Sequence, residues 1–177
     1  MALIQLQDLG PRIIILGPSS SGKSTLAMRI SEKAQMPVIH LDQLFHTPNT
    51  DWVPRPFDEF KALHQSALCQ DRWVMEGNYT KLLPERLARA TGLILLDINA
   101  ALGLYRYLRR IYSCQPRYGA LTGNQDSVKW NMIKHILVTT PKNRARYKAQ
   151  FPGFNLPKIY LENPQALKKI YKEWDLG

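Results

Sequence analysis

Apolar positions along the chain follow two alternating rhythms. The segment "RIIIL", Arg12–Leu16, is short, β-branched and apolar at odd and even positions alike, which suits a central parallel strand buried on both faces. In the stretch that follows, "KSTLAMRISEKA" (23–34), Leu26, Ala27, Ile30 and Ala34 recur at helical spacing on one face, and Pro37 stops the helix. The same two patterns repeat downstream. Strands are predicted at 37–42 ("PVIHLD", ending at Asp42), 72–77, 92–98 and 158–163. Helices are predicted at 57–69 with a cap near Asp58, at 82–90, at 100–112, from about residue 128, and after Asn163 and Pro164. Such alternation predicts an α/β fold, a parallel sheet with helices on both faces joined by right-handed crossovers. Two stretches have neither rhythm, 46–58 and 115–127, and irregular segments of this kind often close over ligands.

Length and composition narrow the class. At 177 residues the chain matches one compact domain, 1–177, and no repeat, low-complexity tract or linker divides it. The longest apolar run, near Leu93 to Leu96, falls far short of the roughly 20 residues that cross a bilayer, and "MALIQLQDLG" has no signal-peptide pattern. The expectation is a cytoplasmic protein without a membrane partner, a monomer or homodimer. Cys69 and Cys114 have no ligand or disulfide spacing and read as buried thiols; His40, His46, His64 and His135 lack metal spacing, so no zinc is expected. Trp73 reads as sheet core, and Trp130 and Trp174 as helix packing.

Charge is unevenly spread. Of the net +10, most comes from the second half: residues 91–177 hold 14 Lys+Arg against 5 Asp+Glu, and within 106–148 there are 10 basic residues and one acid, Asp126. Polyanions should be met there.

The most specific signal is "GPSSSGKS" (17–24), which satisfies G-x-x-x-x-G-K-[ST] between an apolar strand and an amphipathic helix. Gly17 and Gly22 let backbone N–H groups converge on an anion at a helix N-terminus. Lys23 supplies charge for the β- and γ-phosphates and Ser24 a hydroxyl for Mg²⁺, while Ser19, Ser20 and Ser21 line the loop and Thr25 stands beside Ser24. ATP and Mg²⁺ are the cofactors this motif implies. Ligands of open α/β sheets gather at the carboxyl ends of strands, which makes Asp42, Glu76 and Asp97 candidates. Asp97, just before Asn99 and a helix, reads as a cap.

Taken together, "GPSSSGKSTLA", "PVIHLDQLF", "RWVMEGNY" and "LILLDI" before an Arg-rich helix resemble the topology modulation protein family, P-loop proteins similar to adenylate kinase and other small-molecule kinases. The resemblance runs from about Arg12 to Arg146 and is most specific at the phosphate loop and at Glu76-Gly77-Asn78-Tyr79. It implies a kinase-type three-layer P-loop fold, five parallel strands in the order 2-3-1-4-5, with a helical basic lid. In that order Glu76 lies beside Ser24 and holds a Mg²⁺-bound water, and Asp42 binds or deprotonates the acceptor hydroxyl. An acceptor-side loop would span about 42–58 and the lid about 106–148. Arg106, Arg109 and Arg110 share roughly one helical face and Arg117 follows in the loop, so the lid would neutralise the transferred phosphoryl group and hold ATP, extended by Lys142, Arg144, Arg146 and Lys148. Adenylate kinases carry an arginine soon after the glycine that follows the third strand; here Asn78 and Tyr79 occupy that region. Gly77, Asn78 and Tyr79 therefore suit a neutral, hydroxyl-bearing acceptor, with Arg55 or Arg86 left as phosphate contacts and Trp52 as a cover.

Three functions compete: an ATP-dependent phosphotransferase acting on a small hydroxyl or nucleotide-like acceptor, a nucleic-acid-binding NTPase or regulator, and a nucleotide-binding switch without catalysis. The basic stretch favours the second, but no helix-turn-helix, zinc finger or aromatic RNA-binding motif accompanies it.

Overall fold

The structure, a computed structural model, describes residues 4–113, 118–121 and 130–177. Strands β1 (Arg12–Leu16), β2 (Val38–His40), β3 (Trp73–Glu76), β4 (Gly92–Leu96) and β5 (Lys158–Leu161) form one sheet in the order β2-β3-β1-β4-β5, every pair parallel. The helices are α1 (Lys23–Ala34), α2 (Leu41–Phe45), α3 (Phe57–Leu68), α4 (Leu83–Arg89), α5 (Ala100–Ser113), α6 (Trp130–Lys134), α7 (Thr140–Gln150) and α8 (Pro164–Glu173).

The central position of β1 explains why its sequence is apolar at both parities. Ile13 and Ile15 enter one core with Leu26, Ala27 and Ile30 of α1 and Ile170 of α8. Ile14 and Leu16 enter the other with Ala67 and Leu68 of α3, Leu83 of α4 and Tyr147 of α7. Each such fully buried aliphatic side chain contributes about 2 kcal/mol. A strand apolar on both faces cannot be satisfied by one covered face, so helices must cover both.

Several boundaries differ from the sequence reading, each for a local reason. Asp42 does not end a strand: β2 stops at His40, and Asp42 lies in the first turn of α2, whose Leu41 is fully buried. The helix at 57–68 begins after Pro56 with no side-chain cap, so Asp58 serves as a first-turn acid rather than a cap. At α5 the capping carboxamide is Asn99, whose Oδ1 accepts from Leu102 N at 2.8 Å, whereas Asp97 turns toward Arg144 and the Tyr160 hydroxyl. Asn163 caps α8 as expected, accepting from Ala166 N at 2.9 Å. The helix expected from about 128 is described from Trp130, and α6 passes into α7 through a π-helical turn, His135–Thr139. Cys69 is exposed, not buried, because α3 ends just before it; Trp130 is 76% exposed and packs no core. Trp73 and Trp174 are buried. Among the described residues, no helix is long and apolar enough to cross a membrane. Arg117, Cys114 and Asp126 lie outside the described residues.

Candidate functional site

The carboxyl end of β1 opens directly into the glycine loop. Gly17 adopts φ 149°, and a Cβ there would stand 2.7 Å from the Leu96 carbonyl oxygen, so only glycine lets the loop leave the sheet at this point. Ser20 takes a left-handed φ of 59°, and Gly22 caps α1. The hydroxyls of Ser20 and Ser21 are buried without a hydrogen-bond partner, and Lys23 Nζ donates to Pro18 O at 2.9 Å across the loop. Buried hydroxyls left unpaired cost free energy unless a ligand meets them. Together with the Lys23 cation at the N-terminus of α1, they fit a phosphate chain.

β3 runs beside β1 with Ile15 opposite Glu76, and this register brings the carboxylate to the loop. Ser24 Oγ donates to Glu76 Oε1 at 2.9 Å, and His40 Nδ1 lies 2.9 Å from the same oxygen. Burial on its own raises the Glu76 carboxyl, but the hydrogen bond to His40, the charge of Lys23 and the Ser24 hydroxyl outweigh it and hold the group below the usual carboxylate range. A hydroxyl and an ionised carboxylate in contact are hard oxygen donors, the set Mg²⁺ prefers, usually with several waters retained. Ser24 and Glu76 therefore fit that ion.

The chain past Glu76 is held by a residue the sequence reading placed only as a possible phosphate contact. Arg86 is fully buried, and its guanidinium donates to the carbonyls of Gly77 at 2.7 Å, of Asn78, and of Tyr79 at 3.1 Å. Burial lowers it to about 10, still a cation at neutral pH. The turn so fixed aims two side chains. Asn78 grips the backbone of Gly17 with both ends of its amide, accepting from N at 3.2 Å and donating to O at 2.9 Å. Tyr79, at φ 26°, donates its hydroxyl to Asp42 Oδ1 at 2.6 Å, and its ring sits 5.0 Å from Phe45 and 5.1 Å from Phe60. Burial and the neighbouring Asp42 push the Tyr79 phenol well up, so it stays protonated and remains a donor.

Phosphate loop and carboxylates face a common cleft of about 340 Å³, lined by residues 19–25, Asp42, Glu76, Arg106, Arg110, Tyr118 and Met132. Arg106 donates to Ser21 O at 3.2 Å, pinning α5 to the loop. Arg109 is exposed and is not among the described lining residues; four-residue spacing puts Arg106 and Arg110 on one face and turns Arg109 away. Arg144 pairs with Asp97, Arg55 with Glu59, and the Trp52 ring meets His46 edge-on at 5.1 Å. Sequence reasoning passed over His40 because its partner is 36 positions away and no spacing rule links the two. Among the described residues, no cluster of three His, Cys, Asp or Glu side chains forms a metal site.

No protein-family model matches this sequence, and no curated protein matches it. Solved structures do resemble it. A gluconokinase from Sinorhizobium meliloti 1021 superposes with a TM-score of 0.53 at 16% identity, covering 94% of this chain and 95% of that one. A shikimate kinase from Acinetobacter baumannii, in complex with shikimate, gives 0.56 at 15% identity, covering 96% and 94%. The fold is that of P-loop small-molecule kinases.

Proposed function

We propose that the protein is an ATP-dependent phosphotransferase that moves the γ-phosphoryl group of ATP to a small hydroxyl-bearing or nucleotide-like acceptor. The observation that carries this reading is the shared cleft in which the Ser24–Glu76 pair and Asp42 face the same phosphate loop. The kinase names of the two structural neighbours agree with it, and so does the motif resemblance to the topology modulation proteins.

In this reading the loop N–H groups, Lys23 and the Ser20 and Ser21 hydroxyls bind the phosphates. Ser24 and Glu76 hold Mg²⁺, which when bound offsets phosphate charge and orients the triphosphate. Asp42, aligned by the Tyr79 hydroxyl, takes the proton from the acceptor hydroxyl as its oxygen attacks the γ-phosphorus and ADP leaves. Arg106 and Arg110 meet the charge that develops on the transferred group. Asn78 acts on the donor loop through Gly17 rather than on the acceptor. In this reading the described residues 106–113, 118–121 and 130–148 belong to the lid and 42–58 to the acceptor side.

ADP formation from Mg·ATP, measured with pools of nucleosides, nucleoside monophosphates, sugars and hydroxy acids, tests the reading. Turnover with one pool that falls about a hundredfold or more in Lys23→Ala supports it. Full turnover by that variant, or none with any pool, removes it.

A further inference from the structure

Residues 118–121, which begin with a turn at Tyr118–Gly119, border the same cleft as the phosphate loop. Tyr118 lines the cleft, and Leu121 is 3% exposed. The Ala120 carbonyl accepts from Gln43 Nε2 at 2.8 Å, one residue beyond Asp42. Between them Gly119 rests on the imidazole of His40. A Cβ at Gly119 would stand 2.8 Å from His40 Nδ1 and 3.0 Å from Cγ, and its φ of 70° belongs to the left-handed region. That nitrogen is the atom bonded to Glu76 Oε1. An ionised carboxylate offers only lone pairs, so Nδ1 carries the proton of this bond.

We propose that His40 is a positioning residue for Glu76 and that Gly119 seats it, so that docking of the 118–121 turn and alignment of the Glu76 carboxylate are one event. The ring is held between a carboxylate and a glycine backbone, with His40 6% and Glu76 4% exposed, and a side chain at 119 leaves no room for ring and turn to keep this contact. Gln43 ties the turn to α2, the helix that carries Asp42, so the same turn touches the elements that carry Glu76's partner and Asp42. The role given to Glu76 rests on the phosphotransferase reading; the contact itself does not.

The experiment uses the full chain labelled with ¹⁵N-histidine. The His40 Nδ1–H resonance, identified by its absence in His40→Asn, should be lost in Gly119→Ala. In parallel, binding of the ATP analogue AMP-PNP is measured by calorimetry with Mg²⁺ and with EDTA. His40→Ala and Gly119→Ala should each weaken Mg²⁺-dependent binding by roughly tenfold to a hundredfold, the usual effect of losing a group that orients a metal ligand. Affinity in EDTA should change by less than about twofold, His40→Asn should recover part of the loss, and Gly119→Ala added to His40→Ala should cost less than about twofold more. Backbone strain at position 119 would instead add in full on the His40→Ala background, and that result overturns the proposal. So does a ring signal that survives Gly119→Ala, or a lost signal with unchanged Mg²⁺-dependent affinity. If AMP-PNP binding proves insensitive to Lys23→Ala, the phosphotransferase reading falls separately, and the ring signal alone decides whether Gly119 seats His40.

Discussion

Arg86 carries a cation into the interior to hold three carbonyls, so its removal should carry a large stability cost. Arg86→Met leaves those carbonyls unpaired and should lower the unfolding free energy by about 3 kcal/mol in a urea titration. Arg86→Lys should recover only part, since one ammonium cannot span the fork of contacts. Tyr79→Phe, by contrast, removes a single hydrogen bond to Asp42 and keeps the packing on Phe45 and Phe60. It should leave the urea midpoint nearly unchanged and lower turnover with whichever acceptor pool supports ADP formation, with kcat falling more than KM rises. The glycine loop could be singled out from the sequence because the proposed phosphate binding depends on that spacing. His40 and Arg86 were not, because each acts through a partner that only the folded register supplies: β2 beside β3 for His40, and α4 packed under residues 77–79 for Arg86. In the sequence Arg86 looks like the neighbouring Arg89, which is exposed.

Helix periodicity was legible at the level of α5 and misleading in one member. Arg106, Arg109 and Arg110 all fit a basic face, but only Arg106 and Arg110 line the cleft. Arg110→Ala should therefore reduce turnover about tenfold or more, while Arg109→Ala should remain within about twofold of the wild type, a comparison one kinetic assay provides. The packing of α3 on α4 gives a pH dependence. His64 of α3 is fully buried with neither ring nitrogen hydrogen-bonded; burial first, then the charge of Arg86, lowers it from 6.5 to about 4, against the opposing pull of Glu85. The unfolded chain binds a proton near pH 6.5 that the folded chain refuses until about pH 4. This contribution to stability is present in full above the higher value and is lost as pH falls through that window. Urea midpoints should decline between pH 7 and pH 4.5, and His64→Leu should flatten the decline.

At the scale of the molecule, the alternation of strands and helices predicted a parallel α/β sheet, and the two-faced apolarity of "RIIIL" placed β1 at its centre. The strand order itself came from the motif resemblance, since periodicity says which segments pair with a core and not which strands pair with each other. Charge has its own consequence at this scale. Described residues 100–113, 118–121 and 130–148 contain no acid, and Tyr105, Tyr112 and Trp130 are respectively 60%, 79% and 76% exposed among the basic side chains. Cations with exposed rings suit stacked bases. Single-stranded DNA should accordingly bind at low ionic strength and be released steeply between about 50 and 200 mM salt, as fluorescence anisotropy would read. Binding of DNA that alters ADP formation would shift weight to a nucleic-acid-dependent NTPase.

The continuous helical run from Trp130 to Gln150 has a mechanical meaning as well. One end stands in solvent, while near the other Tyr147 is buried among Ile14, Leu16 and Met75, and Arg144 is tied to Asp97 at the end of β4. The run is held a second time at Ile136, fully buried beside Gly103 of α5, so only its first turns from Trp130 overhang the cleft that Met132 lines. At 1.5 Å per residue that overhang is about 9 Å long, and a tilt of about ten degrees would carry its tip only about 1.5 Å. The run is a beam clamped at two points in the core, and the cleft wall it supplies is correspondingly stiff.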